Sequence, residues 1–316
     1  MSAAPVIATL PTVAIAVAAA LFLWWFATGI LFWMSRRLTG DVAVMGVAGA
    51  VLAASLSLVD AVADTASIGA AYLSFLGGIG AWAFAELTFL TGKLTGPVRA
   101  PCPPGLGGWR RFRRAIGTLL WHELAILAIA ATMLTITWGA TNQVGTWAFA
   151  LLMAMRVSAK LNLFLGVPYP PATLLPGPLA HLDSYFRTRP FTALLPAAVT
   201  TGTALATIVA WHAAAPGVSL FEAAGYALLW TLLVLGIVEH WFLILPVREG
   251  ALWAWFTGLP AQGHSTPAAD AGRVKGSTVP GSSGMALHVS SARPKSGTGE
   301  MTRTDHAGQP AASTAA

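Results

Sequence analysis

Long apolar runs alternate with short polar or proline-rich segments over most of this chain. An α-helix rises 1.5 Å per residue, so about 20 mostly apolar residues are needed to cross the hydrocarbon core of a membrane. The pattern predicts an all-α fold, a polytopic membrane helix bundle with about seven transmembrane helices. The windows are 13–34, 42–59, 68–90, 116–138, 144–167, 191–212 and 221–245, of which the second is the shortest.

Composition supports a membrane protein. The chain is 56% hydrophobic and 9% charged, whereas an ordinary soluble domain carries about 25% charged residues. The N-terminal run lacks the basic start of a secretory signal peptide and is too long for its apolar region, which predicts a retained helix. The single cysteine, Cys102, excludes a disulfide within the chain and any multi-cysteine metal site.

The positions of Lys and Arg predict the orientation of the helices. Basic residues follow the first, third, fifth and seventh windows, whereas the links GATNQV and AAAPGVS contain none. Because cytoplasmic loops are enriched in Lys and Arg, we expect the N-terminus outside and the C-terminus inside. All 18 Lys and Arg then lie on the cytoplasmic side or in the cytoplasmic half of the fifth helix. Charge spread along membrane loops indicates lipid headgroups, not nucleic acid, as the anionic neighbour.

The end of the chain differs in composition from the rest. Residues 1–259 are predicted to form the transmembrane bundle, which closes with a short interfacial helix at 251–258 whose Trp253 and Trp255 suit the aromatic belt. Residues 260–316 are rich in Gly, Ser, Thr, Ala and Pro and poor in large apolar side chains. We therefore expect a disordered cytoplasmic tail.

Two predicted cytoplasmic loops have a distinct composition. The loop 96–115, GPVRAPCPPGLGGWRRFRRA, begins with Pro and Gly and ends in a basic segment with interleaved aromatic residues. It is either an anchor to the anionic leaflet or a docking surface for a partner protein. Its candidate contact residues are Trp109, Arg110, Arg111, Phe112, Arg113 and Arg114. The loop 168–190 is proline-dense, which predicts an extended chain with one short helix near 179–186.

Ionisable residues inside the apolar windows form the most unusual feature. Given the predicted orientation, most of them lie roughly 6 to 11 Å from the cytoplasmic face. Each costs about 2.5 to 3.5 kcal/mol at the centre of a helix in hydrocarbon, so each needs a partner or a cavity. The candidate residues for a polar network or a ligand site are Glu86, His122, Glu123, Arg156, Lys160, Asn162, Glu239 and His240.

The charges in this layer can largely neutralise one another. Arg156 and Lys160 are four residues apart, so they share a helix face and would repel unless acids lie opposite. Glu123 and Glu239 are the expected partners, with Glu86 next. Such a network could fix the bundle without any chemistry, or it could form a ligand site.

A ligand site would use the two histidines. Two His and three Glu suit a first-row transition metal, but HELAI lacks the second His of H-E-x-x-H and GIVEH lacks the first His of the inverted motif. A tetrapyrrole held through His122 or His240 is the comparable alternative. No motif predicts a nucleophilic enzyme, and a transport path is disfavoured because the outer halves of the helices carry almost no ionisable residues.

Several strings resemble one known family. GPVRAPCPPGLGGWRRFRRA followed by LLWHE, then NQVGTWAF, MRVSAKLNLFLGVP and EHWFLILP, are similar to the PuhE photosynthetic complex assembly proteins of phototrophic purple bacteria, over residues 21–255. The resemblance implies a multi-pass protein of the inner, intracytoplasmic photosynthetic membrane. Its expected partners are reaction centre or light-harvesting subunits and other assembly factors. No ligand residue is carried over from the family.

The resemblance implies a non-enzymatic assembly factor for the reaction centre and light-harvesting core complex. The charge layer would then stabilise the bundle or form a pocket in it. The alternative is a membrane protein that handles bacteriochlorophyll, another tetrapyrrole or a metal, with His122 and His240 as ligands.

Overall fold

A computed structural model of the chain describes residues 4–38, 40–170, 175–190 and 192–246. Seven helices in these ranges are long and apolar enough to cross a membrane, and no β-strand occurs there. The predicted all-α polytopic bundle is therefore confirmed. The helices are α1 (Ala4–Arg37), α2 (Asp41–Ala61), α3 (Ile68–Leu90), α4 (Gly108–Ile136), α5 (Val144–Leu165), α6 (Leu194–Ala213) and α7 (Leu220–Phe242).

Helix α4 corrects the predicted loop 96–115. It begins at Gly108 instead of residue 116, so the basic segment forms its first two turns. Arginine favours helix once the Pro and Gly of the loop are past. The 29 residues of α4 measure about 43 Å, which exceeds a hydrocarbon core of about 30 Å. One end of α4 therefore extends beyond the apolar layer.

The other boundaries differ by smaller amounts. The short helix expected near 179–186 is a 3₁₀ helix, Gly177–Tyr185, which follows Pro176. Helix α6 begins at Leu194 and α7 ends at Phe242, inside the windows that the apolar pattern predicts. The predicted interfacial helix 251–258 and tail 260–316 lie outside the described residues and stay predictions.

Helices α3 and α7 occupy the centre of the bundle. About half of the most apolar window of each is buried, 50% for α3 and 56% for α7, against 17–22% for the other helices. Helix α1 packs on α7 and α3, α2 on α3, and α6 on α7, while α5 contacts both central helices. Outward-facing side chains such as Leu127 and Trp211 are 55% and 77% exposed, as expected for contact with lipid.

Small residues allow α3 and α5 to touch through their backbones. A Cβ atom added to Gly78 would lie 2.4 Å from the carbonyl oxygen of Gly145. Ser74 Oγ accepts a hydrogen bond of 2.9 Å from the backbone N–H of Gly145. Close backbone approach through small residues is a common way for membrane helices to pack.

We predict that Gly78→Ala lowers the free energy of unfolding by about 1–3 kcal/mol, because the methyl group overpacks the contact with α5. Gly46→Ala is the matched control, since nothing lies within 4 Å of its added Cβ in the middle of α2. The control should cause no loss. Unfolding in mixed micelles measures both, and equal losses would contradict the proposed contact.

Asn142 lies in the link between α4 and α5, at the end of the bundle opposite the basic segment. It connects this link to the link between α2 and α3. Its side chain is fully buried, and Nδ2 donates to the carbonyls of Val62 at 3.2 Å and Ala70 at 2.9 Å. Its backbone N–H also donates to the carbonyl of Ala63 at 2.8 Å. One side chain therefore bonds a carbonyl of the link between α2 and α3 and a carbonyl in the first turn of α3.

Candidate functional site

Two ion pairs connect α5 to α3 and to α4 inside the bundle. Arg156 Nη2 on α5 donates to Glu86 Oε2 on α3 at 2.6 Å. One turn further along α5, Lys160 Nζ donates to Glu123 Oε1 on α4 at 2.7 Å. Each cation therefore has its own carboxylate from a different helix. Glu86 was expected only after Glu123 and Glu239 as a partner of these cations. The structure corrects that order, because Arg156 pairs with Glu86.

The third carboxylate lies near the same pairs. Glu239 on α7 lines the same cavity as Arg156 and is close enough to attract it electrostatically. Glu86 is 5% exposed, and its second oxygen, Oε1, is buried and has no hydrogen-bond partner among the described residues. Three carboxylates and two cations thus lie in this part of the bundle.

One aromatic ring contacts both His122 and Lys160. The ring of Phe89 on α3 stacks on the imidazole of His122 with centroids 4.4 Å apart. Lys160 Nζ lies 5.6 Å from the centroid of the same ring, within the range of a cation–π interaction. His122 is fully buried, and neither ring nitrogen has a hydrogen-bond partner within the described part of the chain.

The loop between α3 and α4 holds His122 in position. The carbonyl of Thr95 accepts from the backbone N–H of His122 at 2.9 Å, and the N–H of Val98 donates to the carbonyl of Gly117 at 3.0 Å. Gly96 lies so close to α4 that an added Cβ would be 2.1 Å from the Gly117 oxygen. The loop therefore packs directly on the α4 backbone.

His240 is bonded at both ring nitrogens. Its Nδ1 lies 2.7 Å from the carbonyl oxygen of Gly236, which can only accept, so Nδ1 carries the proton. In the neutral ring Nε2 then accepts from Ser158 Oγ at 2.9 Å. The lone pair that a metal or a tetrapyrrole would need is thus engaged. A ligand pair made of His122 and His240 is therefore not supported by this geometry.

Asn162 does not join the charge layer. It is fully buried near the end of α5, where Nδ2 donates to the carbonyl of Ser158 at 3.0 Å. Its Oδ1 accepts from Thr192 Oγ1 at 3.1 Å. Asn162 therefore holds the segment before α6 against α5.

A cavity of about 350 Å³ lies beside the ion pairs. Its walls come from α1, α3, α4, α5 and α7 and from the 3₁₀ helix, and are mostly apolar and aromatic. Arg156 keeps 40% of its side chain accessible deep in the bundle, because it lines this cavity. The aromatic side chains in its walls include Trp24, Phe32, Trp82, Phe89, Phe164 and Phe242.

The arrangement is suited to holding an amphipathic group. An apolar cavity with a few convergent polar groups is the usual form of a small-molecule site. Among the described residues, no group of three or more His, Cys, Asp or Glu side chains could hold a metal ion. Arg156, Glu86, Lys160 and Glu239 offer hydrogen bonds and charge to a ligand, and the rings offer an apolar surface.

The basic segment divides into inward and outward residues. Arg111 is 4% exposed and donates to the carbonyls of Phe164, at 3.2 Å, and Tyr185. It is therefore a buried link to α5 and the 3₁₀ helix, which corrects its predicted role as a surface contact. Trp109 is 66% exposed and packs on Phe112, whose ring also meets Phe164 at 5.5 Å.

Sequence reasoning missed several residues of the site. Phe89 looked like an ordinary apolar residue of α3, and no sequence signal reveals its contacts with Lys160 and His122. Ser158 was detectable in principle, since it lies between Arg156 and Lys160 in an otherwise apolar helix. Its bond to His240 depends on how α7 packs on α5.

Comparison with known proteins gives one informative relative. The chain is 39% identical over 241 residues to a protein of Rhodobacter capsulatus described as an uncharacterized 30.4 kDa protein in the puhA 5′ region. The alignment covers 74% of this chain and 87% of that relative. No solved structure matches.

A family model covers nearly the whole bundle and part of the residues that follow it. It matches residues 10–263 and carries the description Protein of unknown function (DUF3623). The match includes every residue that lines the cavity and all residues of the two ion pairs. We conclude that this chain belongs to the DUF3623 family.

Proposed function

We propose that this protein is a membrane-embedded assembly factor for the photosynthetic reaction centre and light-harvesting core complex, located in the inner, intracytoplasmic photosynthetic membrane. The observation that carries the proposal is the position of its 39% identical relative from Rhodobacter capsulatus in the puhA 5′ region. The similarity of several sequence strings, among them LLWHE and EHWFLILP, to PuhE-type assembly proteins also supports the proposal. The predicted orientation, with the N-terminus outside, is part of the same proposal.

The geometry of the site supports a holding role. Two ion pairs lie along the cavity, Arg156 with Glu86 and Lys160 with Glu123, so each of its cations is already neutralised by a carboxylate. The walls are apolar and aromatic, so the cavity can take a lipophilic group without a large polar rearrangement. An assembly factor that receives or passes on a lipophilic component needs a site of this kind.

Deleting the gene in a phototrophic host should reduce accumulation of the core complex, measured by near-infrared absorbance of isolated membranes. Wild-type protein should restore it. Ala27→Trp, which fills the cavity from α1, should restore it poorly, because Ala27 lines the cavity. Ala131→Trp on the exposed face of α4 is the matched control and should restore it fully.

Unchanged core-complex levels after deletion would contradict the assembly role. Full restoration by Ala27→Trp would show that the cavity takes no part in it. A tetrapyrrole absorbance band in the purified protein, lost in His122→Ala, would instead favour the pigment-handling alternative, through His122 alone.

A further inference from the structure

The first two turns of α4 carry an unusual concentration of positive charge. Arg110, Arg113 and Arg114 are spaced so that they share one face of the helix. All three line one hollow of about 340 Å³, together with Val98 and Leu106 from the preceding loop. The hollow is separate from the interior cavity and shares none of its lining residues.

This charge is not compensated by the described part of the protein. No acidic side chain there lies within ion-pair distance of any of the three arginines. The first turn of α4 also contains no acidic residue, although the positive end of a helix dipole favours negative charge at that position. Mutual repulsion and the dipole therefore both act against this arrangement unless an anion binds.

Arg114 gives an independent indication of the missing partner. Its Nε atom is buried and has no hydrogen-bond acceptor in the part of the chain that the structure describes. Buried donors without acceptors are rare in folded proteins, because water is lost and nothing replaces it. Arg111, one turn earlier, has its guanidinium bonded to two backbone carbonyls. The arginines of the hollow thus differ from their neighbour in lacking acceptors.

We propose that this hollow binds the phosphate of an anionic phospholipid headgroup. Guanidinium groups match phosphate oxygens with paired hydrogen bonds. Helix α4 extends past the hydrocarbon layer, so its first turns lie at headgroup level, and the exposed Trp109 beside Arg110 suits that interface. Basic pockets at the cytoplasmic ends of membrane helices bind anionic headgroups in this way. The apolar Val98 and Leu106 would face the glycerol and the upper acyl chains.

The test measures the binding of added lipid to the purified, delipidated protein. Native mass spectrometry should show one tightly bound phosphatidylglycerol and much weaker phosphatidylcholine. The double variant Arg110→Gln, Arg113→Gln should weaken phosphatidylglycerol binding about 30-fold. Each basic residue near the headgroups contributes about five-fold to the affinity, and the variant removes two of them. The charge-matched control, Arg36→Gln with Arg37→Gln, removes two arginines from the last turn of α1 and should leave binding unchanged.

Three results would overturn the proposal. Wild-type protein could bind the two lipids equally, or the control pair could lose as much binding as the hollow variant. Inorganic phosphate could also displace the lipid at equal concentration, which would identify free phosphate as the ligand. Circular dichroism and thermal unfolding of the variants show whether they fold. Because the site lies apart from the cavity, the outcome does not depend on the proposed assembly function.

Discussion

Arg156→Met should lower the free energy of unfolding by about 3 kcal/mol, at the low end of the range for breaking a buried ion pair. The change leaves Glu86 as an uncompensated carboxylate that is 5% exposed. The effect should be below the maximum, because part of the guanidinium faces the cavity. Adding Glu86→Gln should recover much of the loss, since it removes the stranded charge. Unfolding in mixed micelles with all four proteins of the cycle gives the coupling directly.

The surface pair of Lys93 and Asp41 provides the control. Lys93→Met breaks a pair whose aspartate side chain is 81% accessible, and exposed pairs contribute about 1 kcal/mol or less. Its loss should be much smaller than that of Arg156→Met. Strictly additive losses for Arg156→Met and Glu86→Gln would mean that the two residues do not interact in the membrane.

Asn142→Asp should be at least as damaging, although the two side chains have nearly the same shape. The amide nitrogen that bonds the carbonyls of Val62 and Ala70 becomes an oxygen facing two oxygens. Each carbonyl loses one hydrogen-bond donor, although that of Val62 keeps the N–H of Thr65. The carboxylate oxygen that replaces the amide nitrogen is also buried against these two carbonyls without a donor of its own, so we expect a loss of at least about 3 kcal/mol. Lowering the pH should recover part of it, because a protonated carboxyl regains one donor.

Gln143→Glu is the neighbouring control for that prediction. The Gln143 side chain is half-buried and donates a single bond of 3.1 Å, to the carbonyl of Thr137. Its loss should be about 1 kcal/mol. Equal effects of the two changes, or no pH dependence for Asn142→Asp, would contradict the role assigned to Asn142.

Helix α4 shows how far sequence reasoning reaches into the site. His122 and Glu123 are adjacent, and the apolar run around them predicted a buried polar layer. Successive residues of an α-helix point about 100° apart. Glu123 consequently meets Lys160 on α5, whereas His122 stacks on Phe89 of α3. The adjacency of His122 and Glu123 in the sequence indicated a buried polar layer. The partner of each side chain depends on how α4 is rotated about its own axis.

The basic segment gives the same lesson at the surface. Six consecutive residues, WRRFRR, suggested a uniform contact surface. In the helix they separate by direction, so Arg111 is buried while Arg110 and Arg113 stay exposed. The predicted loop was wrong here because the preceding Pro and Gly suggested that the irregular chain continued to residue 115.

The sequence by itself determined the seven-helix membrane fold. Crossing hydrocarbon requires long apolar helices, and runs of about 20 apolar residues are visible directly in the sequence. It also determined which ionisable residues must find partners inside the bundle. Only the tertiary structure decided that Arg156 pairs with Glu86, that Ser158 bonds His240 Nε2, and that a cavity lies beside the ion pairs. Those outcomes depend on the rotation and close approach of helices distant in the chain, which local patterns do not encode.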